Sequence, residues 1–290
     1  LQPLIDTELW LAHKRRALAR PVEGADFLMR RAAEDLADRL GAVERRFGKA
    51  AALFCQTSGA ADVLAASGKV GEIVRVEMDE ALLAGGPGLV APPETVPFED
   101  GSLDLVVSLL SLHAMNDIPG VLAQIRRALK PDGLFLGALA GAGTLAELRE
   151  SMLTAETELY GGASPRILPF TDVRDAGGLL QRAGLALPVA DVETVAVRYD
   201  TLFDLAADLR AVGETSPLID RSRRPGSRRL FARAAEIYAE RFSDPDGRIR
   251  ASFPVVWMSG WAPDASQQKP LKPGSAKLSL KAILENPPKS

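Results

Sequence analysis

Glu77 ends an apolar run, Ile73-Val74-Arg75-Val76-Glu77, that follows a loop of small and polar residues, Gln56-Thr57-Ser58-Gly59, at a spacing of about 20 residues. A carboxylate at one strand end, set behind a small-residue turn at another, is what a nucleoside ligand requires. The turn lets backbone N–H groups approach the ligand's polar tail. The carboxylate accepts the two ribose hydroxyls, and an apolar slot holds the base. The plainer reading of Glu77 is a solvated strand-end acid or a local ion pair, and spacing alone leaves both open. His113, just after another apolar run, is a candidate general base or a structural imidazole. Cys55 ends a buried run with no His or Asp placed to activate it, so a nucleophilic or redox role is not expected. Arg221, Arg223, Arg224, Arg228, Arg229 and Arg233 form a basic cluster opposed only by Asp220. That cluster is either a solvated face or a surface for an acidic partner.

The elements that must position these groups follow from periodicity. Asp6-Thr7-Glu8-Leu9 opens a helix that runs into Lys14-Arg15-Arg16, and apolar residues from Leu28 to Phe47 predict a second, longer one. Strands are expected at 50–55, 71–77, 103–109 and 134–139, with Lys130-Pro131-Asp132-Gly133 as a turn before the last of them. Helical faces recur at 60–67, after Asp79, and from Ile118 to Leu129. Further helices are expected at 143–160, 171–183, 201–211 and 227–242, and strands at 188–198 and 249–258. Strand–helix alternation of this kind predicts an α/β fold with a doubly wound sheet, because parallel strands need crossover helices.

Composition excludes several classes. The chain has 290 residues, 47% of them hydrophobic, a net charge of −3, one cysteine and two histidines. That rules out a disulfide framework and a thiolate-rich or histidine-rich metal centre. The near-neutral balance gives no argument for nucleic acid. No run reaches the roughly 18 apolar residues of a membrane span, and no leader is seen, so a cytoplasmic location is expected.

Pro97-Phe98, Leu103 to Ser108, Leu112-His113, Asn116-Asp117 and Leu129 to Gly133 resemble, in that order, the later motifs of class I S-adenosylmethionine (SAM) methyltransferases. A narrower resemblance lies in Gly247 to Phe253, Gly260-Trp261-Ala262-Pro263, Ser266 to Pro270 and Pro273 to Ala276. These segments are similar to bacterial relatives of a methyltransferase-fold assembly factor of respiratory complex I that hydroxylates an arginine of an iron–sulfur subunit. The methyltransferase acting on malonyl-carrier protein is a more distant likeness. The resemblance implies a seven-stranded sheet with its last strand antiparallel, helical cap segments at 1–48, 155–185 and 210–245, and one domain over 1–265 with a tail at 266–290. It implies a SAM site in which Gln56, Thr57, Ser58 and Gly59 border the methionine tail, Glu77 holds the ribose, and Ser108 and Leu109 form the floor. It also implies a protein substrate such as the complex I iron–sulfur subunit, met through Arg221, Arg223, Arg224 and Arg228.

The chain departs from that pattern where the first motif should read acid, any residue, glycine: it has Leu53, Phe54 and Cys55. The acid near the adenine amino group is also replaced, by Pro92 and Pro93, with Glu94 the nearest carboxylate. Loss of an ammonium's partner costs roughly 1–3 kcal/mol or more. The leading expectation is a SAM-dependent enzyme acting on a protein side chain. A non-catalytic assembly protein with a degenerate cofactor pocket is the first alternative, and an enzyme methylating a small molecule or acyl carrier is the second.

Overall fold

Buried side chains alternate along the strands between two faces, and the molecule is built outward from that alternation. The computed structural model describes residues 2–223 and 225–268. The strands are β1 (Phe47–Leu53), β2 (Val70–Glu77), β3 (Leu89–Val90), β4 (Leu103–Leu109), β5 (Leu129–Ala140), β6 (Ala186–Tyr199) and β7 (Ile249–Trp261). They form one sheet in the order β3-β2-β1-β4-β5-β7-β6. Pairing is parallel from β3 to β5, and β7 runs antiparallel to both β5 and β6. This is the doubly wound seven-stranded sheet that the resemblance implies, with the last strand reversed.

The helices are α1 (Thr7–Leu18), α2 (Phe27–Gly41), α3 (Gly59–Ala66), α4 (Glu80–Leu83), α5 (Ile118–Ala128), α6 (Ala146–Tyr160), α7 (Val173–Arg182), α8 (Leu202–Ala211) and α9 (Arg228–Phe242). One core layer joins Trp10, Leu53, Val76, Val106, Ile125, Phe135 and Leu180, from α1, α5, α7 and the strands between them. The opposite layer joins Leu36, Leu40, Leu64, Ala52, Val107, Leu136 and Trp257. Each fully buried Leu or Phe contributes about 1.5–3 kcal/mol, so the two layers supply most of the stabilisation. A third cluster, around Met152, Tyr199, Leu205, Ile237 and Tyr238, packs α6, α8 and α9 into a cap beside the carboxyl ends of the strands.

Two boundaries differ from the expectations. Apolar periodicity carries the second helix to Phe47, yet α2 stops at Gly41 and Phe47 begins β1. The Lys69 ammonium donates to the carbonyls of Leu40, Gly41 and Val43 at 2.7, 2.9 and 2.7 Å, satisfying the helix end, and the Phe47 N–H pairs with Lys69 O. Lys130 to Gly133 is not a free turn but the irregular start of β5. Asp132, at φ +63°, donates its N–H to Ala262 O, and Ala262 donates back to Gly133 O, so β7 draws that segment into the sheet.

Candidate functional site

In an open α/β sheet, ligands sit at the strand carboxyl ends where the strand order reverses, which here is the crevice between β1 and β4. The chain after β1 turns sharply: Phe54 and Gln56 adopt φ +54° and +62°. Such angles cost a non-glycine residue about 1–3 kcal/mol each. The Phe54 N–H pairs with Val76 O, and the Gln56 side chain swings across the crevice to donate to Leu110 O at 2.8 Å. Leu110 has a positive φ of its own, +52°, and donates to Ala138 O. The switch-point crevice is thereby bridged by the protein's own carboxamide.

Glu77 lies at the end of β2 with no exposed surface. Neither carboxylate oxygen has a hydrogen-bond partner among the described residues. Burial pushes its pKa up to about 8, against the opposing pull of Arg75, whose guanidinium is 4.0 Å away. The backbone N–H groups of Gln56 and Cys55 add a weaker pull in the same direction, although they fall short of hydrogen-bond geometry. Gln56 Oε1, Ser108 Oγ and Ser111 Oγ are also buried without partners. Cys55 is fully enclosed, its Sγ 3.7 Å from the carbonyls of Leu53 and Val107, and burial raises its pKa. It is an inert thiol, as its sequence position predicts. Thr57 Oγ1 accepts the Gly59 N–H at 3.4 Å at the head of α3, and Leu109 is buried at the end of β4 in the layer beneath α2 and α3. Glu94 is committed elsewhere: its Oε1 accepts the backbone N–H groups of Asn116 and Asp117. Asn116 Oδ1 in turn holds the N–H groups of Leu4 and Ile5, both at 2.8 Å, fixing the segment that leads into α1.

A cavity bearing on the site lies one strand further along. Its volume is about 470 Å³, and it sits over the carboxyl ends of β4 and β5, under the cap. Leu110, His113, Ala140 and Thr144 form its sheet side, and Phe27, Phe170, Tyr199, Phe231 and Phe253 supply aromatic walls. His113 Nδ1 accepts the Ala140 N–H at 3.3 Å, which places the ring proton on Nε2. Burial lowers its pKa, so the ring is neutral, and it packs 5.8 Å from the Phe170 ring. With Nδ1 used structurally, the remaining ring nitrogen is a donor.

A buried ion pair borders the same space and escaped the sequence reading, because Lys14 stands in a basic run that looks like a solvated helix end. Lys14 is 3% exposed. Its ammonium pairs with Glu214, donates to Val212 O at 2.9 Å and lies 5.3 Å from the Trp10 ring centroid. Burial alone would raise the Glu214 pKa, but the pull of Lys14 and the lesser ones of His113 and His13 together outweigh it, and the carboxyl is held below its ordinary range. Gly213 makes the approach possible: at φ +75°, a Cβ there would meet His13 O and Lys14 Cδ at 3.0 Å. Replacing Lys14 by methionine strands the Glu214 charge and is expected to cost about 3 kcal/mol or more. The depressed pKa sets the sign: this contribution is present above the ordinary Glu range and lost as pH falls through the lowered value. Urea denaturation at pH 7 and pH 3.5 checks both statements.

The Arg cluster divides. Arg221 turns inward to Leu218 O and Asp6, and Arg233 pairs with Glu158 and Glu236, whereas Arg223, Arg228 and Arg229 remain exposed. Arg224 lies outside the described residues, as does the tail beyond Gln268, with Lys269-Pro270 and Pro273 to Ala276. No group of three or more His, Cys, Asp or Glu side chains suited to a metal occurs among the described residues. None of their helices is long and apolar enough to cross a membrane.

A methyltransferase-domain family model matches residues 55–137. The YcgJ protein of Bacillus subtilis superposes with a TM-score of 0.56 over 80% of this chain and 99% of its own, at 14% identity, which shows the fold alone. Mouse mitochondrial arginine-hydroxylase NDUFAF5 is 37% identical over 285 residues, 96% of this chain and 82% of that protein. The chain belongs to the NDUFAF5 family. The Dictyostelium discoideum member is 44% identical over 186 residues, of which this chain spans 42% of the relative's length. The family has a methyltransferase fold, and SAM is the cofactor that fold implies.

The residues present in this NDUFAF5 relative do not fit that cofactor as arranged. Glu77, without a hydrogen-bond partner among the described residues, suits a ribose, but it has no surface to offer one. Leu53, fully buried, offers no charge to an ammonium, and Gln56 bridges the crevice the methionine tail would follow.

Proposed function

We propose that this chain acts on an arginine side chain of a partner protein, in the manner of the NDUFAF5 arginine hydroxylases, with the iron–sulfur subunit of complex I as its substrate. The observation that carries the reading is the cavity over β4 and β5. It is walled by aromatic rings and bordered by the ionised Glu214, surroundings that suit a flat cation presented on a side chain. A second reading, a non-catalytic assembly protein of the same family, is favoured by the Gln56 bridge and by Leu53 and Cys55 at the cofactor end.

Co-expression with the iron–sulfur subunit, pull-down and mass spectrometry of the captured subunit test both. Capture with one arginine heavier by the mass of an oxygen supports the enzyme, and capture of an unmodified subunit supports the assembly protein. No capture at all sinks both. Replacing Arg223 and Arg228 by alanine is expected to weaken the pull-down, because these guanidiniums stay exposed for an acidic partner surface. An unchanged pull-down returns them to an ordinary solvated face.

A further inference from the structure

We propose that Glu214 is the residue that receives the substrate guanidinium, and that Lys14 positions it. This rests on the arginine-directed reading above and assigns that reading a specificity-determining side chain. The charges on the cavity come first. Its lining includes Asp208, Glu214, Arg166, Arg210 and Arg221. Arg166 is already paired with Glu156 at 2.5 Å, Arg221 is held by Asp6 at 3.3 Å and by Leu218 O, and Arg210 is exposed. Lys14 neutralises one of the two carboxylates, and His113 is neutral. With Arg166, Arg221 and Glu214 each paired, Asp208 and the exposed Arg210 are the charges left on the lining and they balance, so a cation must be held by a particular carboxylate rather than by net charge.

Glu214 is prepared to take that cation. Its Oε1 is held by the Lys14 ammonium, while Oε2 accepts no hydrogen bond from a described residue. Its side chain keeps 27% of its surface where it lines the cavity. The Lys14 grip fixes the carboxylate plane, and α1 is itself tied down by His13 Nδ1 on Thr215 and by the Asp6 N–H on Pro217 O at 2.8 Å. A carboxylate with one oxygen fixed and one free presents an edge that the guanidinium fork can bond. Asp208, beside the Tyr199 hydroxyl, is a second acid on the same cavity. The aromatic walls favour the planar, weakly hydrated guanidinium over the compact, strongly hydrated lysine ammonium.

The test is calorimetry on the full chain with Nα-acetyl-arginine methylamide and its citrulline and lysine counterparts, citrulline having the same shape without the charge. The arginine probe is expected to bind at least about tenfold more tightly than either of the others. Glu214→Gln should remove about tenfold or more of that affinity and leave citrulline binding unchanged. Because that variant leaves Lys14 buried without a counter-charge, Lys14→Met/Glu214→Gln is measured beside it, with thermal melts to show that each variant is folded. The folded double variant should show the same loss. Equal binding of arginine and citrulline, no arginine binding to the native chain, or full affinity in the folded variants overturns the proposal. Failure here is separable from failure of the proposed function. If the iron–sulfur subunit is captured and modified equally by Glu214→Gln, the site falls and the function stands. If the subunit is never captured while arginine binding still depends on Glu214, the function falls and the site stands.

Discussion

Glu77→Gln is expected to make the protein more stable, and to do so only above weakly acidic pH. The carboxyl has no exposed surface and no hydrogen-bond partner among the described residues, and its pKa stands at about 8 against an ordinary value of 4.5. Below pH 4.5 the group is protonated folded and unfolded, and contributes nothing. Between pH 4.5 and about 8 the unfolded chain releases a proton that the folded chain retains, so stability falls as pH rises. The slope is roughly 1.4 kcal/mol per pH unit, which accumulates to about 4–5 kcal/mol by about pH 8. Glutamine keeps the shape and removes the ionisation, so the variant should match the native chain near about pH 4 and exceed it by several kcal/mol at about pH 8.5. Urea denaturation at the two pH values measures this. Parallel stabilities at both would show that Glu77 ionises freely in the folded state.

The second large effect concerns the cofactor end. The native chain is expected to bind SAM no better than millimolar, and a Leu53→Asp/Cys55→Gly variant to bind it at least about a hundredfold more tightly. The aspartate introduced in place of Leu53 supplies the counter-charge an ammonium needs. The glycine introduced in place of Cys55 removes the side chain now lodged between the Leu53 and Val107 carbonyls. Adding Gln56→Gly takes away the bridge to Leu110 and relaxes a φ of +62° that glycine adopts without penalty. Without ligand, the new carboxyl is a buried acid in the layer that holds Phe54, Val76 and Leu82, so the repaired protein should melt lower than the native one. With ligand it should melt higher than its own unliganded form, by about 2.7 kcal/mol at a hundredfold excess over the dissociation constant. Calorimetry and melts with SAM and S-adenosylhomocysteine read both quantities. Micromolar binding by the native chain would show that Gln56 yields readily and that the seat is functional.

The two effects have one origin. Glu77, Ser108 and Ser111 are polar groups at the ends of β2 and β4 without hydrogen-bond partners among the described residues, and they stand with residues that keep a ligand out. Native interiors rarely leave such groups unpaired, because each costs about 1–3 kcal/mol. Here several are left together at the strand ends of a single site.

Much of this was legible in the linear sequence. The strand runs and the helix caps at Asp6 and Asp79 led to the doubly wound sheet, since strand–helix alternation and local capping are written residue by residue, and the reversed last strand followed only from the resemblance carried by the ordered motifs. Leu53 and Cys55 marked the altered cofactor end without any coordinates. What distant chain segments do to one another was not legible. Phe47 sits at helical spacing, but Lys69 ends α2 before it. Lys14 reads as one more surface cation, and only the return of residues 212–216 makes it the buried partner of Glu214. Glu94 reads as free for a ligand until Asn116 arrives from beyond β4 to claim it.

Residue type and near spacing were thus enough for the family, the fold and the suspicion that falls on Leu53 and Cys55. Only the tertiary structure settles that Gln56 bridges the switch-point crevice, that Glu77 is sealed without a hydrogen-bond partner among the described residues, and that the open cavity lies over β4 and β5 with Glu214 on its wall. The physical reason is that charge, burial and hydrogen bonding at a site are set by groups 54 to 200 residues apart, as with Gln56 and Leu110 at a separation of 54 or Lys14 and Glu214 at 200. No local pattern encodes which of them will meet.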